Sequence, residues 1–422
     1  MENLLLVNAP ADGVINGTVL LPASKSISNR VLIIRALCQQ DFPIHNLSEA
    51  EDTRTLLQAL EAEGVTHDID AGHTGTAMRF LTAYLATRPG TFYLTGSERM
   101  KQRPIAPLVN ALQQLGADIS YSEKTGFPPL KIKGQQLRGG KIHVDAGISS
   151  QFISSLLLIA PNLDEGLEVT LSGVPVSSEY IKMTLGLMSR FGIETRWERN
   201  VITILPGSYQ PHEITIEPDW SGASYFYELL LLSEKGSLFF PDLSTKSLQG
   251  DEILWQWFGH LGITTRFSEE GAFAEKTKGH PEFVSFSFIE NPDLAQAMAM
   301  AFAGNNIQAV FRGLETLPLK ETDRIKALQG ELGKLGFSLA AREEGIWQLR
   351  KTAWPQLPGR VTFKTYNDHR MAMACAPLAL KLGQVGIHNP EVVGKSFPGY
   401  WDCLRQIGFK LIFAAGYETP DP

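Results

Sequence analysis

The sequence predicts an α/β protein of two similar domains, each with helices in its centre and sheets outside. Three observations carry this. A chain of 422 residues is too long for one ordinary core and implies about two to three domains. A unit of amphipathic helix, glycine and β-like run recurs six times, three on each side of the midpoint. Between the units lie helical runs that are apolar on every side, and a helix of that kind is buried all round.

The units read Leu56 to Val65 (LLQALEAEGV), Leu108 to Ile119 (LVNALQQLGADI), Met183 to Trp197 (MTLGLMSRFGIETRW), Ile253 to Phe267 (ILWQWFGHLGITTRF), Ile325 to Leu339 (IKALQGELGKLGFSL) and Trp401 to Ile412 (WDCLRQIGFKLI). Each places a glycine where a left-handed cap would end the helix: Gly64, Gly116, Gly192, Gly262, Gly336 and Gly408. One copy is common in any α/β protein, but six copies at intervals of 52, 76, 70, 74 and 72 residues indicate internal repetition. The intervals are too long for a solenoid and leave room for a second helix and further strands. The buried helices are Gln151 to Ala160 (QFISSLLLIA), Ala223 to Leu232 (ASYFYELLLL), Leu294 to Ala303 (LAQAMAMAFA) and Met371 to Leu380 (MAMACAPLAL). No Gly/Ser linker is present, and the polar stretch from Pro206 to Pro218 is the weakest candidate boundary.

Hydrophobic residues make up 43% of the chain and charged residues 20%, the balance of a globular protein. A net charge of −7 argues against a nucleic-acid surface. Cys38, Cys375 and Cys403 are widely spaced and odd in number, which points to free thiols in a reducing compartment. Residues 1–7 are apolar but include Glu2 and lack a basic leader, and no apolar run of membrane-spanning length follows. A cytoplasmic protein with no membrane partner is expected.

Cations collect at turns and helix starts. Lys25, Ser26, Ser28 and Arg30 lie just ahead of the apolar run Val31 to Leu37, where unpaired N–H groups and the helix dipole favour an anion; a serine-capped helix with solvated cations is the plainer alternative. Arg103 precedes Pro104, an extended position with a helix to follow. Lys320 and Arg324 stand four apart in LKETDRIKAL, at a spacing that puts both on one helical face beside Glu321. Asn367, Asp368, His369 and Arg370 crowd the mouth of a buried helix, where charge is costly unless partners or ligands satisfy it. Lys395 again precedes a helix, and Ser149, Ser150 and Gln151 offer hydroxyls and an amide to an oxyanion. Gly-rich nucleotide loops and metal-ligand spacings are absent, so no cofactor and no metal are expected.

In this order PASKSISNR (22–30), GTAMRFL (75–81), RMKQRPI (99–105), SSQF (149–152), SSEYI (177–181), NPD (291–293), LKETDRIKAL (319–328), YNDHRMAM (366–373) and GKSFPGY (394–400) resemble the 5-enolpyruvylshikimate-3-phosphate synthase family. The resemblance runs from Leu21 to Ile407, and KETDR and NDHRMAM are its most specific pieces. It implies two inside-out α/β domains of three βαβαββ units each: an inserted N-terminal domain at 21–218 and a C-terminal domain of 1–20 plus 219–422, with hinges near 20 and 219. It also implies transfer of the enolpyruvyl group of phosphoenolpyruvate to the 5-hydroxyl of shikimate 3-phosphate, with release of phosphate, in a monomer that closes when its first substrate binds.

Carried over motif by motif, the resemblance assigns shikimate 3-phosphate to Lys25, Ser26, Arg30, Ser149, Ser150, Gln151, Ser177, Tyr180, Asp293 and Lys320. It assigns phosphoenolpyruvate to Lys25, Gly75, Arg103, Gln151, Arg324, Arg370 and Lys395. Two phosphates and two carboxylates bring about −5 to −6 of charge, and the seven formal cations Lys25, Arg30, Arg103, Lys320, Arg324, Arg370 and Lys395 balance it. Asp293 is the expected base for the hydroxyl. Glu321, assisted by Lys25 and His369, is the expected acid for the methylene carbon. A carboxyl amid cations has a lowered pKa, which keeps Asp293 ionised. Five positions depart from the family pattern: His73 and Thr74 replace Asn-Ala, Ala23 a glycine, Glu179 a proline and Thr316 an asparagine. The sister family that uses UDP-N-acetylglucosamine is the rival reading, and a binding protein without catalysis is a second.

Overall fold

The computed structural model describes residues 3–62, 68–147, 149–173, 175–352 and 361–413. The chain divides into two compact units, a continuous one of Ala23–Ile216 and a discontinuous one of Met1–Pro22 with Glu217–Pro422. One pairing scheme recurs in both. In the continuous unit, strand Asp68–Asp70 runs parallel to Gly90–Thr95, which pairs antiparallel with Leu130–Gly134, and that strand pairs with Asp118–Tyr121. Helices Gly75–Ala86 and Ala106–Gln114 follow the first two strands, so the unit of structure is βαβαββ. Residues 140–204 repeat it, with helices Ser150–Ile159 and Ser178–Arg190. Of the remaining repeat the described residues show a two-stranded sheet, Ile44–His45 with Ile214–Thr215.

The discontinuous unit contains one repeat in unbroken sequence, residues 283–351, with helices Ala295–Gly304 and Arg324–Lys334. Its other two sheets draw on the start of the chain. Strand Val14–Thr18 lies parallel to Lys235–Pro241 as the first strand of its repeat, although its helix, Trp220–Leu232, comes only after the whole continuous unit. Strand Leu4–Asn8 sits between Gln384–His388 and Lys410–Phe413 and completes the last repeat.

Strand burial alternates, as in Gly140–Asp145 and Lys235–Pro241, so each sheet turns one face to a core and one outward. The cores are the helices: nearly every residue of Gly75–Ala86, Ser150–Ile159, Trp220–Leu232 and Ala295–Gly304 is buried. The run from Met371 is not the single helix expected. Pro377 divides it into helix His369–Cys375, a 3-10 turn at Ala376–Leu378 and a short helix Ala379–Leu382, because proline lacks the N–H that the next turn requires. Gly116, Gly192, Gly262, Gly336 and Gly408 have φ between 74° and 100°, the left-handed conformation of a helix cap; Gly64 lies outside the described residues. No described helix is long and apolar enough to cross a membrane.

Candidate active site

The helix carrying the first cationic motif begins at Lys25, not just ahead of Val31. Lys25, Ser26 and Arg30 are therefore helical, and Ser24 occupies the cap position without a side-chain capping bond. Lys25 Nζ pairs with Asp52 Oδ2 at 2.9 Å. Arg30 is turned inward: Nε donates to Thr184 Oγ1 at 2.7 Å, Nη1 to the Ser26 carbonyl at 2.8 Å, and Nη2 to Ser154 Oγ and the Tyr180 carbonyl at 3.2 Å each. Burial lowers its pKa to about 10, and Phe80 and Tyr180 stack near it.

In the same unit Gly75 opens the helix Gly75–Ala86 beside Arg103. A Cβ at position 75 would lie 2.6 Å from Arg103 Nη1, so only glycine leaves that guanidinium where it is. Arg103 is extended and nearly buried, and Arg79 braces the same turn by donating to the Gly75 carbonyl at 3.1 Å. Ser149 caps helix Ser150–Ile159 by accepting from Gln151 N, and Gln151 Nε2 donates to Thr76 Oγ1 at 3.3 Å. Ser150 is buried at the first helical position. Ser177, at φ 58° and ψ 41°, holds a conformation unusual for a residue with a side chain. Of the departures, Thr74 is buried at a helix cap, and Glu179 pairs with Lys182 at 2.6 Å.

The discontinuous unit gathers its charges around Asp293. Arg324 Nη1 reaches Asp293 Oδ1 at 3.0 Å, Arg370 Nη2 reaches Oδ2 at 3.0 Å, and Lys320 Nζ stands 3.7 Å from Oδ1. Arg370 Nη1 also donates to the Asp293 carbonyl at 3.0 Å and to Tyr225 Oη at 3.4 Å. Arg324 is almost wholly buried and meets two more carboxylates at 2.7 Å each, Glu321 Oε2 and Asp368 Oδ2. Burial opposes its charge, but Asp368, Glu321 and Asp293 together outweigh burial and hold its pKa above the usual value. Burial lowers the pKa of Lys320, with Arg324 and Arg370 acting in the same direction against Asp293 and Glu321.

Lys320 and Arg324 do not share a helical face. Lys320 is extended at the end of the 3-10 turn Leu317–Leu319, and the helix starts at Arg324, capped by Asp323. They converge on Asp293 because the chain bends between them. Asp368 accepts from Arg370 N at 2.9 Å and caps the helix that carries His369. His369 is nearly buried, with Nδ1 3.8 Å from Asp368 Oδ1. Tyr366 and Asn367 both have positive φ; Tyr366 Oη donates to Glu331 at 2.7 Å, and the Asn367 carbonyl accepts from Lys395 at 2.8 Å. Lys395 ends the 3-10 turn Pro390–Lys395 and, as expected, precedes a helix, Tyr400–Gln406. The Thr316 hydroxyl is buried and has no hydrogen-bond partner among the described residues.

The simple cation count does not hold. Lys320, Arg324 and Arg370 are matched by Asp293, Glu321 and Asp368, and Lys25 by Asp52. The clusters are ordered ion-pair networks rather than open positive surfaces, so an incoming anion must share or displace carboxylates. Sequence reasoning missed Asp52, Thr184, Ser154 and Tyr225. Asp368 was visible in its quartet, but its partner lies 44 residues away.

The model of EPSP synthase (3-phosphoshikimate 1-carboxyvinyltransferase) matches residues 11–70 and 65–404. A 3-phosphoshikimate 1-carboxyvinyltransferase of Bacteroides fragilis (strain YCH46) is 44% identical over 409 residues, covering 96% of this chain and 98% of that protein. One of Sulfurovum sp. (strain NBC37-1) is 36% identical over 420 residues, covering 93% and 97%. A solved EPSP synthase from Acinetobacter baumannii has a TM-score of 0.76 at 23% identity, covering 97% of this chain and 100% of that one, and it shares the two-domain α/β fold.

Proposed function

The chain belongs to the EPSP synthase family, and we propose that in its reaction Asp293 takes the proton of the acceptor hydroxyl while Glu321 supplies a proton to the methylene carbon. The enzyme transfers the enolpyruvyl group of phosphoenolpyruvate to the 5-hydroxyl of shikimate 3-phosphate and releases phosphate through a tetrahedral intermediate, in the route to chorismate. The observation that carries our assignment is the meeting of Asp293 with Lys320, Arg324 and Arg370. Three cations favour the ionised form, the one that can accept a proton, although they also make it a weaker base.

In this reading Ser26, Arg30, Ser149, Ser150, Gln151, Ser177, Tyr180, Asp293 and Lys320 bind shikimate 3-phosphate. Gly75, Arg103, Gln151, Arg324, Arg370 and Lys395 bind phosphoenolpyruvate, and Lys25 serves both. The close fit of Arg103 against Gly75 supports a guanidinium set for a planar carboxylate or phosphate. Lys25 and His369 assist Glu321. Residues 21–218 act as the N-terminal enolpyruvyl transferase domain, and 1–20 with 219–422 as the C-terminal one, in a cytoplasmic monomer.

The test follows phosphate release from phosphoenolpyruvate with shikimate 3-phosphate, with UDP-N-acetylglucosamine offered as the competing acceptor. Turnover is expected with the first acceptor alone; the reverse preference would overturn the reading. Asp293→Ala should lower kcat by about 10²- to 10⁴-fold while shikimate 3-phosphate still binds. A kcat close to that of the unaltered enzyme would remove Asp293 from its role.

A further inference from the structure

Asp251 lies 42 residues before Asp293 in sequence, in the 3-10 turn Gly250–Ile253, and is buried. Among the described residues its carboxylate has two hydrogen-bond partners. Oδ1 accepts from Asn291 Nδ2 at 3.0 Å, and Oδ2 accepts a short hydrogen bond from Ser221 Oγ. Both partners are able to donate, and donation from them favours the ionised carboxylate against its burial. Asn291 is itself buried and caps the turn Pro292–Leu294 that presents Asp293. Ser221 lies in the first turn of helix Trp220–Leu232, where Asp219 accepts from its backbone N–H. One buried anion therefore joins a helix start to the residue two places before Asp293.

We propose that Asp251 is a positioning residue for this reaction, fixing the Asn291–Pro292–Asp293 turn through its hydrogen bonds and offsetting with its charge the cations around Asp293. The inference rests on the assignment of Asp293 as base. Arg370 and Arg324 hold the carboxylate of Asp293, while the Asp251–Asn291 contact holds the chain from which it projects. Positioning of this kind matters because small displacements of a reacting group cost rate steeply.

The charge has a separate effect. Lys320, Arg324 and Arg370 keep Asp293 ionised, but for the same reason they weaken it as a base. Burial, and next the charge of Asp293, raise the pKa of Asp251, against the hydrogen bonds of Ser221 and Asn291 and the charge of Arg370. Coupling between two sites is mutual, so ionised Asp251 raises the proton affinity of Asp293 and restores part of its basicity. Asp293 and Arg370 are the charged groups that act on Asp251. Neighbouring Glu252 is coupled instead to Trp255 and Glu217. The packed helix Leu254–His260 carries only His260, at its far end.

The test compares kcat, KM and pH profiles of the full chain with those of Asp251→Asn, Asn291→Ala and Asp293→Ala. Asp251→Asn keeps the shape and removes the charge. It should lower kcat about ten- to a hundredfold, leave both KM values within about threefold, and move the acidic limb of kcat to lower pH by about half a unit or more. Asn291→Ala cuts the tether but keeps the anion, so kcat should fall with the limb unmoved. A kcat within twofold for Asp251→Asn, or a loss of kcat with the limb in place, would overturn the electrostatic role. An unchanged kcat in Asn291→Ala would overturn the tether, and that variant decides the matter should Asp251→Asn fail to fold. If Asp293→Ala turns over normally, the base assignment falls and this inference with it; if Asp293→Ala is inactive while the other two variants are unaffected, only this inference falls.

Discussion

Replacing Arg324 with methionine removes one guanidinium from three carboxylates while keeping much of the side-chain volume. The three lose unequally. Asp293 keeps Lys320 and Arg370, and with Glu321 it is partly open to water, their side chains being 14% and 22% exposed. Asp368 is 0% exposed and keeps only the backbone N–H of Arg370 among its hydrogen bonds described above. The penalty therefore concentrates on Asp368, and stranding one member of a buried pair costs about 3–5 kcal/mol. For a unit of this size each kcal/mol moves Tm by about 2–4 °C, so a fall of roughly 6–20 °C is expected at pH 7.5. A chain of two compact units need not melt as one, but six of its seven tryptophans belong to the discontinuous unit, so their fluorescence follows the relevant transition. A loss below about 1 kcal/mol at pH 7.5 would refute the reasoning.

Two further outcomes are expected. Gly75→Ala places a methyl within 2.6 Å of Arg103 Nη1 and must displace that guanidinium. It should raise KM for phosphoenolpyruvate about tenfold or more with little change for shikimate 3-phosphate, and steady-state kinetics with each substrate varied checks this. Glu228 is fully buried, and among the described residues neither carboxyl oxygen finds a hydrogen-bond partner; burial raises its pKa well above the usual carboxylate range. The folded chain then keeps a proton that the unfolded chain loses, so the stability from this group is complete below about pH 4.5 and falls as pH rises, by about 1.4 kcal/mol per unit, until the folded pKa is passed. Glu228→Gln cannot ionise, so its stability relative to the unaltered chain should climb by that slope. Parallel denaturation curves between pH 4.5 and 8 would show it.

The repeat architecture was legible because its signals are local. A cap glycine is required by the backbone of its own turn, and an all-apolar helix declares its burial whatever its neighbours. The cationic motifs were legible as segments for the same reason. Their starts were less so: the apolar run at Val31 suggested a helix six residues shorter at its front than the one beginning at Lys25. Lys320 and Arg324 shared a helical spacing without sharing a helix, since sequence spacing says nothing where the chain bends.

Residue types and local pattern sufficed to identify the two-domain α/β architecture, the cation-bearing motifs and the family. Folding alone decided which acid meets which base. Arg324 is joined to Asp293 across 31 residues and to Asp368 across 44, and Arg370 to Asp293 across 77. Counting cations therefore overstated the positive charge of the candidate site: Glu321 is a local neighbour of Arg324, but Asp293, Asp368 and Asp52 come from a distant turn and two helix starts, through contacts that no local pattern encodes.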